Sequence, residues 1–194
     1  MGLTIHYNGR FNPRASLGEM VAEVKDIVEI FNWKYTVYET EFPSSSFDEK
    51  YNRNIYGISL TPPECETVSC CFLSNGRMSS KAGLKFFGKS TNEDEQKYLY
   101  MLCTKTQFAD YKTHMLVVGL LRYLSKKYFS DFTMTDEGKY WETESEDILK
   151  ENFKAYNDLL NMFSEGFQSV QIEEGESLMN YLESVIKRVK SKRE

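Results

Sequence analysis

Between Ser16 and Tyr38 the chain switches its hydrophobic period from helical to extended, and this switch constrains the fold more than any other feature. Ser16-Leu17-Gly18-Glu19 has the form of a capping box, in which the serine and glutamate side chains each satisfy one unpaired backbone N–H of a starting helix. Leu17, Met20, Val21, Val24, Ile27, Val28 and Phe31 then recur at helical spacing and form one apolar stripe, with Asn32 as the stop. Trp33-Lys34-Tyr35-Thr36-Val37-Tyr38 alternates with period two and is rich in aromatic and β-branched side chains, as strands are. Upstream, Leu3, Ile5 and Tyr7 alternate in the same way, with His6 on the opposite face and Asn8-Gly9 read as a turn. A one-sided helix between two strands buries its stripe by lying on a sheet.

The same reading continues downstream. Tyr56, Ile58 and Leu60 predict a third strand, and Thr67 to Leu73 a fourth. Asn75-Gly76 predicts a type I′ hairpin with a short return strand at Met78. Lys81 to Gln96 shows no clear period and is expected to be a mobile excursion. Tyr98 to Cys103 is apolar throughout, which predicts a central strand covered on both faces. Asp110 or Thr113 caps a second helix that reaches Tyr128 and is buried through Val117, Val118, Leu121 and Leu124. Thr135 to Lys139, with Gly138 in its loop, predicts a hairpin between Phe132, Met134 and Tyr140, Trp141. A third helix runs from Ser145 to Glu165 with Gly166 as its C-cap, and Val170 with Ile172 predicts an edge strand. The last helix, from Glu176, is expected to bury Leu178, Tyr181, Leu182, Val185 and Val189. The sum is an α+β fold, a mixed, mostly antiparallel sheet of about six strands flanked by four helices, with a doubly wound parallel sheet as the runner-up. A single globular domain, 1–194, is expected, its C-terminal helices (about 145–190) packed on the sheet.

Charge narrows the partners. The 194 residues carry 24 Lys plus Arg against 29 Asp plus Glu, a net charge of -5. Lys187, Arg188, Lys190, Lys192 and Arg193 crowd the end, so the body before Lys187 is near -9. Such a surface repels polyanions, and nucleic acid is not an expected partner. Basic residues in a final helical turn complement the helix dipole. No apolar run reaches the roughly 20 residues needed to span a bilayer, and the start lacks a leader pattern, so no membrane contact and a cytoplasmic location are expected. Cys65, Cys70, Cys71 and Cys103 have no zinc-site spacing; no metal is expected, and free thiols suit a reducing compartment.

The polar candidates gather around strand ends. Thr104-Lys105-Thr106-Gln107 follows the apolar run and precedes the helix that carries His114, where a cation beside helix amides suits an anion, so Lys105 and Gln107 are candidate ligand contacts. His6 and Arg10 at the end of the first strand are further candidates. His114 borders a buried stripe and becomes an acid-base candidate if a carboxylate faces it; Asp136 and Glu137 are the nearest choices, with Trp141 and Glu142 beside them. A Cys103–His114 pair is disfavoured, because a thiol in an apolar stretch is a poor nucleophile. Dinucleotide, P-loop, zinc-protease and serine-hydrolase signatures are absent, so no cofactor is expected.

The segments Thr104-Lys105-Thr106-Gln107-Phe108-Ala109 with His114, then Asp136-Glu137-Gly138 and Tyr140-Trp141-Glu142-Thr143, resemble those of a family of uncharacterised bacterial proteins of about this length. That resemblance implies no activity and carries no residue roles. The leading expectation is a non-catalytic intracellular binding or regulatory protein, with a protein partner or a homodimer through the C-terminal helices. The alternative is a small-molecule enzyme or ligand-binding domain acting on an anionic substrate.

Overall fold

Thr4–Phe11 forms β1, which runs straight through Asn8-Gly9 instead of turning there. A bulge accounts for this: Asn8 pairs with Thr133 and Arg10 with Ser130, so Asp131 and Phe132 together oppose Gly9. A Cβ on Gly9 would lie 3.1 Å from the Phe132 Cα, so the close approach favours glycine. The remaining elements are α1 (Leu17–Ile30), β2 (Lys34–Val37), β3 (Tyr56–Thr61), β4 (Val68–Phe72), β5 (Met78–Ser79), α2 (Lys81–Phe87), α3 (Glu93–Tyr98), β6 (Leu102–Lys105), α4 (Tyr111–Tyr128), β7 (Phe129–Asp136), α5 (Tyr140–Thr143), α6 (Glu146–Ser169) and α7 (Leu178–Ser191). This computed structural model describes residues 3–44, 46–48, 50–170 and 177–191.

The α+β class and the antiparallel pairing are as the sequence predicts, but the strands divide between two sheets, ordered β6-β1-β7 and β2-β3-β4-β5. The chain itself divides into two compact units, Met1–Leu149 and Lys150–Glu194. In the first unit, the Ser16 hydroxyl accepts from Glu19 N–H and starts α1, and the Asp110 carboxylate accepts from Thr113 N–H and starts α4. Leu17, Met20, Val21, Val24 and Val28 of α1 meet Ile58, Leu60, Val68, Cys70 and Phe72 of the four-stranded sheet and Val117, Val118, Leu121 and Leu124 of α4 in one buried core. Ile5, Tyr7 and Phe11 enter that core from the inward face of β1.

Two seams tie the sheets together. At one, Phe11 N–H donates to Gly76 O at 2.8 Å and Arg10 forms a bridge with Arg77. At the other, Glu66 N–H donates to Lys105 O, Lys105 N–H donates to Glu66 Oε2, and the Thr104 hydroxyl donates to Thr67 O. Between them the Tyr7 hydroxyl accepts from Ser69 N–H at 2.8 Å and donates to Ser69 O, which satisfies a buried polar tip.

Several expectations are corrected. The Asn75-Gly76 hairpin is not a two-residue I′ turn: Gly76 alone has positive φ (+76°), Gly76 N–H donates to Leu73 O, and Leu73 N–H donates to Arg77 O, which makes a three-residue loop. The unreadable stretch from Lys81 folds as α2 and α3, seated on a small cluster of Ile55, Cys71, Leu73 and Leu99. Tyr98 to Cys103 is not a central strand. Tyr98 ends α3, and β6 takes only the last residues of the run and lies at a sheet edge, with Tyr98 53% and Met101 62% exposed. Thr135 to Lys139 leads into the short helix α5, not a hairpin. In the second unit Gly166 lies inside α6, not at its end: a Cβ there would stand 3.0 Å from Val189 Cγ2, so glycine permits the close approach of α7. Tyr181 of α7 donates its hydroxyl to Phe167 O. Leu178 is exposed, not buried, while Val185 and Val189 are buried. Val170 is not in a strand; Ile172 and Glu176 lie outside the described residues.

Candidate functional site

Asp136 ends β7 on the inward face and is 1% exposed; His114, from the second turn of α4, is fully buried beside it. The His114 Nε2–H donates to Asp136 Oδ2 at 3.0 Å, and His114 Nδ1 lies 2.7 Å from the Thr106 hydroxyl. An ionised carboxylate only accepts, so this contact selects a ring protonated on Nε2, either the neutral Nε2–H tautomer or the imidazolium. Gly138 N–H donates to Oδ1, and Tyr140 and Trp141 N–H donate to Oδ2. Burial alone would raise the Asp136 pKa; the hydrogen bond and charge of His114, with the amides of Trp141 and Gly138, outweigh it and hold the carboxyl below its ordinary range.

This arrangement anchors α5 at both ends. Asp136 accepts from two of the unpaired amides of its first turn, and Asp136 N–H donates back to Glu142 Oε1 at 3.2 Å. At the other end, Arg122 of α4 donates to Trp141 O at 2.7 Å, lies over the Trp141 ring and pairs with Glu144. Gly138 closes the cluster, since a Cβ there would lie 2.9 Å from His114 Nε2. The pair has the composition of an acid-base couple and the surroundings of a structural clamp: no face of either side chain is open to a substrate.

Strand parity separates the other candidates from it. Ile5 pairs with Asp136 and Thr104, and these point inward; His6 pairs with Thr135 and Cys103, and these point outward. His6 and Arg10 are therefore on the face of the sheet away from His114 and do not converge with it. Lys105 is also exposed on the outward side. Glu137 is exposed and accepts from Thr4 N–H at 2.9 Å, completing the pairing of β1. Gln107 is half-buried and its Oε1 has no hydrogen-bond partner among the described residues. Trp141 stands edge-on to Phe132, and Glu142 is tied to the Asp136 amide. Among the described residues no group of His, Cys, Asp and Glu is placed to hold a metal ion, and no helix is long and apolar enough to cross a membrane.

The open concavities lie on the outward faces of the two sheets, walled by α2, α3 and Met101. One, of about 500 Å³, is floored by hydroxyls of the four-stranded sheet, including Thr36, Ser59 and Thr67, with Lys34 and Lys81 at its sides. A second, of about 410 Å³, runs over His6, Asn8, Thr133 and Thr135 between Phe87 and Tyr98. A third, also of about 410 Å³, shares Asn8 and Met101 with the second and is lined by Arg10, Arg77, Tyr100 and Asp131. Volumes of this size suit small molecules. Cys103 lies on the ridge between the first two; burial and Glu66 raise its thiol pKa, while Lys105 lowers it.

Arg77, Tyr100, Phe87 and Asp131 were not picked out by sequence reasoning. Arg77 directly follows the loop glycine, but nothing local announces that a strand distant in sequence, β1, meets it there. Comparison with protein-family models, with curated proteins and with solved structures finds no match to this chain.

Proposed function

We propose that the protein is a non-catalytic binding protein that seats a small molecule on the outward face of the three-stranded sheet. The observation that carries this reading is the division of labour across β1. On the inward side the one histidine–carboxylate couple among the described residues is sealed and holds α5 in place. On the outward side His6 and Asn8, with Thr133 and Thr135 from β7, present polar groups to an open recess with aromatic and thioether walls. Polar groups on a rigid sheet beneath apolar walls orient a ligand without acid-base help.

The test is a ligand-observed NMR screen of mixed small metabolites against the wild-type chain and a Thr135→Trp variant, whose indole fills the recess. Compounds that bind the wild type, are lost from the variant and are recovered chemically unchanged are the expected result. Conversion of a bound compound, or identical binding by both proteins, would overturn the reading.

A second reading, a protein partner or homodimer through the C-terminal helices, is favoured by one observation: Leu178, Met179 and Ile186 are exposed apolar residues on α7. Light scattering of the full chain tests it, with a dimer mass that falls to monomer in Ile186→Glu as the supporting outcome.

A further inference from the structure

Arg10 and Arg77 start from bridged backbone positions, so their side chains leave the same seam between the sheets. Arg77 is held at its backbone and at its side chain. Its N–H donates to Asn75 Oδ1, the Asn75 side-chain amide donates to the Tyr100 hydroxyl, and its guanidinium lies 3.3 Å from the centre of the Tyr100 ring. A guanidinium held against an aromatic ring is pre-organised to offer its remaining N–H donors to a planar or tetrahedral oxyanion.

No carboxylate forms an ion pair with either arginine among the described residues. Asp131 lines the same recess, turned there by the bulge opposite Gly9 at φ +52°, and Lys97 lines it while paired to Asp94. The recess therefore gathers three cations against one lining carboxylate, in a protein whose overall charge is -5. Partial burial lowers the pKa of Arg77, Tyr100 beside it raises it, and the neighbouring charge of Arg10 lowers it further, as expected where two cations sit close together. An uncompensated like-charge pair costs stability, and a bound anion relieves it.

We infer that Arg10 and Arg77 bind the phosphate of a small phosphate monoester whose flat apolar body extends past Asn8 toward Phe87 and Tyr98. This deepens the binding reading above and rests on it. A phosphate dianion matches the two positive charges of the guanidinium groups and offers them three terminal oxygens, where a carboxylate brings one charge and two oxygens. The apolar body follows from the adjoining recess, whose walls include Leu102 and Met134. A polymer of phosphates is disfavoured by the chain's net charge of -5.

The experiment is a ¹H–¹⁵N NMR titration of the full chain with inorganic phosphate, phenyl phosphate and benzoate, repeated on Arg10→Gln, Arg77→Gln, Tyr100→Leu and Thr135→Trp, each variant first shown to melt cooperatively. Phenyl phosphate is expected to bind about tenfold more tightly than either other probe, one decade corresponding to 1.4 kcal/mol. Each arginine variant should weaken both phosphates about tenfold, Tyr100→Leu should weaken them by a smaller factor, and Thr135→Trp should weaken phenyl phosphate alone. No saturable shift with either phosphate, or equal affinity in the wild type and both arginine variants, overturns the inference. Equal affinity for phenyl phosphate and inorganic phosphate overturns the apolar-body part of it. If these fail while the metabolite screen still yields a ligand lost in Thr135→Trp, the phosphate assignment falls and the binding reading stands. If that screen also fails, both fall.

Discussion

His114 and Asp136 meet at 3.0 Å with neither side chain open to solvent, and the carboxylate collects three backbone amides besides the imidazole. Removing one partner leaves the other buried without its counterpart, a change that typically costs about 3–5 kcal/mol. His114→Ala and Asp136→Ala are therefore expected to lose that order of stability in urea unfolding. Arg10→Gln, at an exposed site beside Arg77, should leave stability unchanged or raise it by less than about 0.5 kcal/mol. A His114→Ala protein as stable as the wild type would show that the pair does not hold the fold.

Acid should weaken the protein through the same residue. The folded-state pKa of Asp136 lies below its unfolded value of about 3.9, so the native state binds this proton less readily. Its contribution is complete above the unfolded value and is lost as pH falls through the folded one. Melting temperature should drop between pH 5 and 2, by less in Asp136→Asn than in the wild type; parallel curves for the two proteins would contradict this assignment.

Gly138→Ala tests how tightly the clamp is closed. The added methyl would stand 2.7 Å from Leu149 Cδ1 and 2.9 Å from His114 Nε2, and overpacking of this kind costs about 1–3 kcal/mol. Gly119→Ala, with nothing within 4 Å of the new atom, is the control and should be neutral or stabilising in the same denaturation assay.

Thiol labelling should separate the four cysteines. Cys103 is exposed and is expected to react first with an aromatic disulfide reagent at pH 8, more slowly than a free thiol because its pKa is raised. Burial lifts Cys65 to about 11 and Cys71 to about 12, and raises Cys70 as well, so the buried Cys70 and Cys71 should react only on unfolding. Peptide mass spectrometry identifies the labelled site. A ligand in the recess beside Cys103 should slow its labelling.

Local chemistry was legible in the sequence where it acts locally. Ser16 and Asp110 cap helices because a side-chain oxygen reaches an amide three residues away, and such spacing is visible without a structure. Tyr98 to Cys103 misled because an apolar run does not reveal what it faces: Tyr98 and Met101 wall open recesses, while Leu99 is buried in the small cluster under α2 and α3 and Leu102 turns into the main core. His114 and Asp136 are found together because Thr106, β7 and α4 converge on one spot, but the sequence could not show that the same convergence seals them from solvent. The Arg10–Arg77 seam was illegible for a further reason. It joins strands of different sheets, and its register depends on a bulge and a three-residue loop whose extra residues leave no periodic trace.

The Phe11–Gly76 hydrogen bond places a mechanical joint beneath two mutually repelling guanidinium groups. Their repulsion acts as a wedge in that joint, and an anion lodged between them works as a rivet. Occupancy should then slow amide hydrogen exchange at Phe11 and on both sides of the seam, in β1 and around Arg77, so that the rigidity of the whole double-sheet body reports the presence of its ligand.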